Sequence, residues 1–160
     1  MKYGIYYAYW EKEWNGDYKY YIDKISKLGF DILEISCGAF SDYYTKDQEL
    51  IDIGKYAKEK GVTLTAGYGP HFNESLSSSE PNTQKQAISF WKETLRKLKL
   101  MDIHIVGGAL YGYWPVDYSK PFDKKRDLEN SIKNMKIISQ YAEEYDIMMG
   151  MEVLNRFEGY

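Results

Sequence analysis

Two carboxylates close the sequence. Glu152 and Glu158 stand in the segment Met151-Glu-Val-Leu-Asn-Arg-Phe-Glu-Gly-Tyr160, directly after the apolar run Ile147-Met-Met-Gly-Met151. That run is too short for a helix and reads as a buried parallel strand. Glu152 then falls at the strand's C-terminal end, the edge of an α/β sheet where ligands bind. A charge at the end of a buried strand is costly unless a metal, a proton or a cation compensates it. Glu152 can therefore be a metal ligand, a proton-transfer group, or a member of a structural ion pair. Glu158, six residues on, can bind hydroxyls or stay solvated. Trp14, Tyr111 and Trp114 lie on loops after strands, where flat rings suit the apolar faces of a sugar, though isolated aromatics also serve packing. His71 is expected in the loop after the third strand, and His104 inside the fourth as a core histidine. Glu34 and Ser36 share one face of the second strand, where a structural hydrogen-bonded role is expected. No P-loop, G-x-S-x-G, C-x-x-C or H-E-x-x-H is present.

Composition narrows the function classes. The 160 residues suffice for one domain with one core. Lys plus Arg number 21 against 24 Asp plus Glu, a formal charge of −3, so no basic excess exists to neutralise a nucleic-acid backbone. No apolar run approaches the roughly 20 residues that span a bilayer. The N-terminus passes directly into a strand pattern without a signal peptide, and the lone Cys37 cannot form an internal disulfide. A reducing cytoplasm is the expected compartment. Many of the 17 tyrosines sit beside Gly and Trp at strand ends, which suits a pocket with apolar walls and hydroxyl edges, or ordinary packing.

The elements that must position these residues alternate. Strand one is expected over Gly4–Tyr9, followed by a helix over Asp17–Leu28 with Tyr21, Ile22, Ile25 and Leu28 on one stripe and Gly29 as its stop. Strand two spans Phe30–Ser36. The second helix opens at a capping box, Thr45-x-x-Gln48, turns Leu50, Ile53 and Ala57 inward and ends at Gly61. Val62–Ala66 is strand three. After a long loop, Pro81 starts a third helix whose inner face is Ala87, Trp91, Leu95 and Leu98. Ile103–Val106 is strand four. Lys124–Glu144 is the fourth helix, with Leu128, Ile132, Met135, Ile138 and Ala142 as its apolar face. Strand five follows.

This βαβα order requires a parallel sheet with right-handed crossovers. Five strands and four helices fit either a five-stranded doubly wound sheet or the first part of a (β/α)8 barrel, which needs about 250 residues when whole. The long aromatic loops all follow strands and the helix-to-strand returns are short, as in both. The first loop, from Tyr9 to Gly16, is acidic and aromatic, which argues against phosphate binding there.

Four motifs carry a resemblance: Gly4-Ile-Tyr-Tyr-Ala-Tyr-Trp10, Leu64-Thr-Ala-Gly-Tyr-Gly-Pro70, Gly107-Gly-Ala-Leu-Tyr111 with Tyr113-Trp-Pro-Val-Asp117, and Gly150-Met-Glu-Val-Leu-Asn-Arg-Phe-Glu158. Together they resemble the ketose 3-epimerases, the D-tagatose and D-psicose (D-allulose) 3-epimerase enzymes, over the entire chain. The resemblance implies a xylose-isomerase-like (β/α)8 barrel and a divalent metal, manganese or cobalt, with magnesium as an alternative. It implies that Glu152 is both a metal ligand and one of two acid/base carboxylates, that Glu158 contacts sugar hydroxyls near C1, and that Tyr6, Gly67, Ala109 and Trp114 line the substrate pocket. The implied substrate is a ketohexose, and the implied reaction inverts C3 through an enediolate. A homo-oligomer, a dimer or tetramer, is expected of the full-length parent.

The sequence departs from that family in extent. The other metal ligands, an Asp, a His and the second catalytic Glu, belong to strands six to eight in the full enzymes, and these are absent here. Residues 1–160 are thus expected to be the N-terminal portion of one barrel domain, inactive alone. The rival readings are a non-catalytic half-barrel that binds sugar or assembles with a partner chain, and a related sugar or hydroxypyruvate isomerase.

Overall fold

The computed structural model describes residues 1–14, 16–119 and 122–159. Five strands occur among them: β1 (Gly4–Tyr6), β2 (Ile32–Ser36), β3 (Thr63–Tyr68), β4 (Ile105–Gly108) and β5 (Met148–Met151). They follow one another in the order β1-β2-β3-β4-β5. A flavodoxin-type doubly wound sheet runs 2-1-3-4-5, so the sequential order excludes the doubly wound alternative and is the order of barrel strands. Five α-helices accompany them: α1 (Tyr18–Leu28), α2 (Ala39–Asp42), α3 (Asp47–Glu59), α4 (Pro81–Leu100) and α5 (Lys124–Glu144). The short α2 has no counterpart in the sequence pattern. No described helix is long and apolar enough to cross a membrane.

The chain resolves into two compact units. The first comprises Met1–Gly67 with Arg96–Val106, the second Tyr68–Leu95 with the described residues from Gly107 onward.

In the first unit β1, β2 and β3 pair in parallel, with Tyr6 opposite Glu34, Glu34 opposite Thr65 and Ser36 opposite Gly67. Side chains alternate across a strand, so the two faces differ in kind. Leu33, Ile35, Leu64 and Ala66 are buried on the face that α1 and α3 cover. Tyr6, Glu34, Ser36, Thr65 and Gly67 share the other. Asp17 caps α1 by accepting from the backbone N–H groups of Lys19 and Tyr20, and Gly29 ends it at φ 81°. Tyr21, Ile22 and Ile25 are buried as the stripe requires, but Leu28 in the last turn is exposed. The capping box at Thr45 does not form. The N-cap of α3 is Lys46, without a side-chain cap, and Asp47 and Glu49 place negative charge in the first turn instead. Leu50, Ile53 and Ala57 are buried as expected.

β1 is shorter than its apolar pattern. After Tyr6 the chain turns into a 3-10 helix over Tyr7–Trp10. Tyr7 is fully buried, with its hydroxyl donating to the Trp14 carbonyl at 2.7 Å and its ring against Tyr18 and Tyr21, centroids 5.3 and 5.8 Å away. Extending the strand would withdraw Tyr7 from this cluster. His104 is not a core residue: it precedes β4 and is exposed, with Nε2 3.4 Å from Asp102.

In the second unit, α5 has the bounds its sequence predicts, and Ile138 and Ala142 are buried as expected, but the buried face of its first half is rotated by one residue. Asp127, Ser131, Asn134, Ile138 and Ala142 are buried, while Leu128 is 60% and Ile132 48% exposed. The reason is polar. Asn134 donates to the Leu76 carbonyl at 2.8 Å, Ser131 to the Tyr111 carbonyl at 2.7 Å, and Asn130 to the Ser78 carbonyl at 3.1 Å. Loop carbonyls, which must find donors when buried, select the face. β5 is not the buried strand the apolar run suggested, since Met148 is 70% and Met151 42% exposed and the strand is the last in the sheet order.

Candidate active site

The first unit brings together Tyr6 and Gly67 around Glu34. Gly67 is buried, and a Cβ built on it would stand 2.8 Å from Glu34 Oε1 and 3.3 Å from Glu34 Cδ. The side chain of Glu34 therefore crosses the space a larger residue would fill. The Ser36 side chain lies on the same strand face as Tyr6. The Tyr6 phenol is pushed up to about 12, chiefly by burial and further by the Glu34 carboxylate, against the lowering effect of Ser36. It stays a neutral donor and acceptor at physiological pH. Trp14 lies beside it, ring centroids 6.3 Å apart, and is 60% exposed. Cys37 ends the β2 segment with its N–H on the Gly67 carbonyl at 3.1 Å. Burial raises its thiol strongly, which makes it a packing residue and not a nucleophile.

The second unit holds the remaining candidates. Gly108 has φ 126° and approaches Tyr68 so closely that a Cβ would meet the Tyr68 carbonyl oxygen at 2.2 Å, so the turn into Ala109 requires glycine. The Gly108 carbonyl accepts the backbone N–H of Glu152 at 3.0 Å. Glu152 is thereby tied to the backbone next to the buried Ala109. By strand alternation it continues the face of Met148 and Gly150, opposite the buried Ile147. Its side chain is exposed. Trp114 donates its N–H to the Pro70 carbonyl at 2.8 Å and packs on Gly69. Glu158 is exposed. Its carboxylate accepts from Asn155 Nδ2, and the Tyr118 hydroxyl lies 2.8 Å from the Arg156 carbonyl and 2.9 Å from that of Gly159. Tyr111 is half-buried with its carbonyl on Ser131. His71 opens a 3-10 turn (Phe72–Glu74) and donates its N–H to Glu74 Oε2 at 2.9 Å, an oxygen that also accepts from the Tyr68 hydroxyl at 2.6 Å.

Among the described residues no group of three or more His, Cys, Asp or Glu could hold a metal ion. What the chain offers at the strand end is one exposed carboxylate, an oxygen donor suited to a single position in a hard cation's shell.

The family model described as the xylose isomerase-like TIM barrel matches residues 22–160. The chain belongs to this family. The xylose isomerase-like barrel accounts for the sequential strand order. Among its relatives the chain is similar to the D-psicose 3-epimerase of Enterocloster bolteae, at 57% identity over all of this chain and 53% of that protein. It is similar to that of Agrobacterium fabrum at 43% identity over all of this chain and 55% of that protein. Its backbone superposes on crystal structures of D-psicose 3-epimerase with D-tagatose from Clostridium cellulolyticum H10 with a TM-score of 0.96 at 48% identity, covering all of this chain and 55% of that one. The chain spans about half the length of the curated relatives it matches.

Glu34 was legible as a strand residue sharing a face with Ser36, but nothing in the sequence set it opposite Tyr6 or against Gly67. That needs the inter-strand register.

Proposed function

We propose that the chain is the N-terminal portion of one barrel domain of a ketose 3-epimerase acting on a ketohexose of the D-fructose/D-psicose or D-tagatose/D-sorbose type. The observation that carries this is the 57% identity to a D-psicose 3-epimerase along the whole chain. Glu152, tethered through its backbone to Gly108, takes the proton from C3 of the sugar or returns one there. A carboxylate does this once the neighbouring carbonyl is polarised. Inversion needs a second group on the opposite face, outside this chain. Glu158 accepts hydrogen bonds from sugar hydroxyls near C1, and Tyr6, Gly67, Ala109 and Trp114 are assigned to sugar binding. A divalent cation, manganese or cobalt, has Glu152 among its ligands in this reading and supplies the carbonyl polarisation. The 160-residue chain is inactive alone, and the whole enzyme is a cytoplasmic homo-oligomer.

The test fuses residues 1–160 to the remaining C-terminal portion of the Enterocloster bolteae enzyme and checks folding by circular dichroism. The folded fusion, given manganese, should interconvert D-fructose and D-psicose and exchange the C3 proton in deuterium oxide. Glu152→Gln should lower both by about 10²–10⁴-fold, and the unfused chain should show neither. A folded fusion that handles no ketohexose overturns the proposal.

A further inference from the structure

We propose that Glu34 is a hydroxyl-recognising residue of the sugar pocket, acting with Tyr6 and Ser36 from the face of β1–β3 opposite the helices. The inference rests on the reading of the ligand as a ketohexose and adds a residue to it. Three observations converge on Glu34. It lies on the second strand with Tyr6 and Thr65 as its register partners, so its carboxylate emerges among polar groups and not among Leu33, Ile35, Leu64 and Ala66. It is half-buried. Its carboxylate lies over Gly67, where an added Cβ would stand 2.8 Å from Oε1.

The chemistry is that of polyol recognition. A carboxylate accepts from two hydroxyls at once, while a phenol and a serine hydroxyl each donate and accept. An acceptor beside two amphoteric hydroxyls matches adjacent hydroxyls of a sugar. The absence of a side chain at Gly67 then has a specific meaning: it leaves room for Glu34 to reach the ligand. The Gly67 contact is with the far end of a flexible side chain, so Gly67→Ala moves the carboxylate at little cost to the fold.

The test is binding of D-psicose to the 160-residue chain, followed by saturation-transfer NMR, with thermal melting of each variant. The unsubstituted chain should bind in the millimolar range or better. Glu34→Gln and Gly67→Ala should each weaken binding about tenfold, the loss expected for one charge-assisted hydrogen bond, and the double variant should be no weaker than either alone. Both should melt within a few degrees of the parent. Binding unchanged in either variant, additive losses, or no saturation transfer from the unsubstituted chain to the sugar each overturn the assignment. Turnover by the fused enzyme is read separately. Sugar binding without turnover defeats the epimerase reading and leaves Glu34 standing, and turnover with an indifferent Glu34 does the reverse.

Discussion

Trp114 rests on Gly69: a Cβ at residue 69 would stand 3.1 Å from Trp114 Cβ and 3.2 Å from Cε3. The indole position is thus set by the absence of a side chain on the neighbouring loop and by the backbone N–H of Trp114, which donates to the Pro70 carbonyl. Gly69→Val should displace the ring and destabilise the chain by about 1–3 kcal/mol, as overpacking does. Urea denaturation measures the cost, and a shift in tryptophan emission that disappears in a Trp114→Phe background locates it.

Gly54 lies inside α3, where replacing glycine by alanine normally gains up to about 1 kcal/mol. Here a Cβ would sit 2.6 Å from the Met101 carbonyl oxygen, and backbone cannot swing aside as a side-chain tip can. Gly54→Ala should therefore destabilise by about 1–3 kcal/mol. A urea midpoint equal to or above that of the parent contradicts the close approach.

The face of α5 can be decided with two substitutions. Asn134→Ala leaves the buried Leu76 carbonyl without its donor and should cost about 1–3 kcal/mol. Leu128→Ala, on the exposed side, should change stability by no more than about 0.5 kcal/mol. The ranking reverses if the apolar stripe read from the sequence faces inward.

Acid stability should depend on three aspartates. Asp47 is held below its ordinary value first by the two-pronged hydrogen bond from Arg96, Asp102 by Lys58, and Asp23 by Lys60. A carboxyl whose folded value is depressed contributes stability that is complete above its unfolded value, near 3.8, and is lost as pH falls through the folded value. Melting temperature should hold above about pH 5 and decline below about pH 4. Asp47→Asn should flatten that decline, a comparison best made at low salt because the pairs are exposed.

The segment carrying Glu158 is pinned by the Tyr118 hydroxyl, shared between the carbonyls of Arg156 and Gly159. Tyr118→Phe removes that donor and should leave the melting temperature nearly unchanged. Amide hydrogen exchange at residues 155–159 should rise roughly three- to tenfold, the loss of one exposed hydrogen bond. In an active fusion it should raise KM more than it lowers kcat, since Glu158 is assigned to binding.

The limits of α5 and the inward set of α4 were legible because strong periodicity and flanking signals agree there: Ala87, Trp91, Leu95 and Leu98 are all fully buried. The rotation of α5 was not, because hydropathy ranks Leu128 above Asn134 and cannot see that a loop carbonyl awaits a donor. Tyr7 ended β1 early through partners seven to fourteen residues on, at Trp14, Tyr18 and Tyr21, a relation outside any strand pattern. His104 looked like core because the apolar run starting at Ile103 was assigned to the strand, whereas pairing begins at Ile105. The place of Glu152 directly after β5 was legible, yet its exposure follows from β5 having a described neighbour on one side, which local sequence does not encode.

The amide and hydroxyl fingers of α5 bear on how this scaffold can diversify. Asn134, Ser131 and Asn130 grip main-chain oxygens at Leu76, Tyr111 and Ser78, and main-chain oxygens belong to whichever residue occupies the position. Exchanging side chains on those two connectors leaves the grip intact, but inserting or deleting a residue in either connector shifts the oxygens that connector presents. Variation in these connectors is thereby channelled into residue identity and away from segment length.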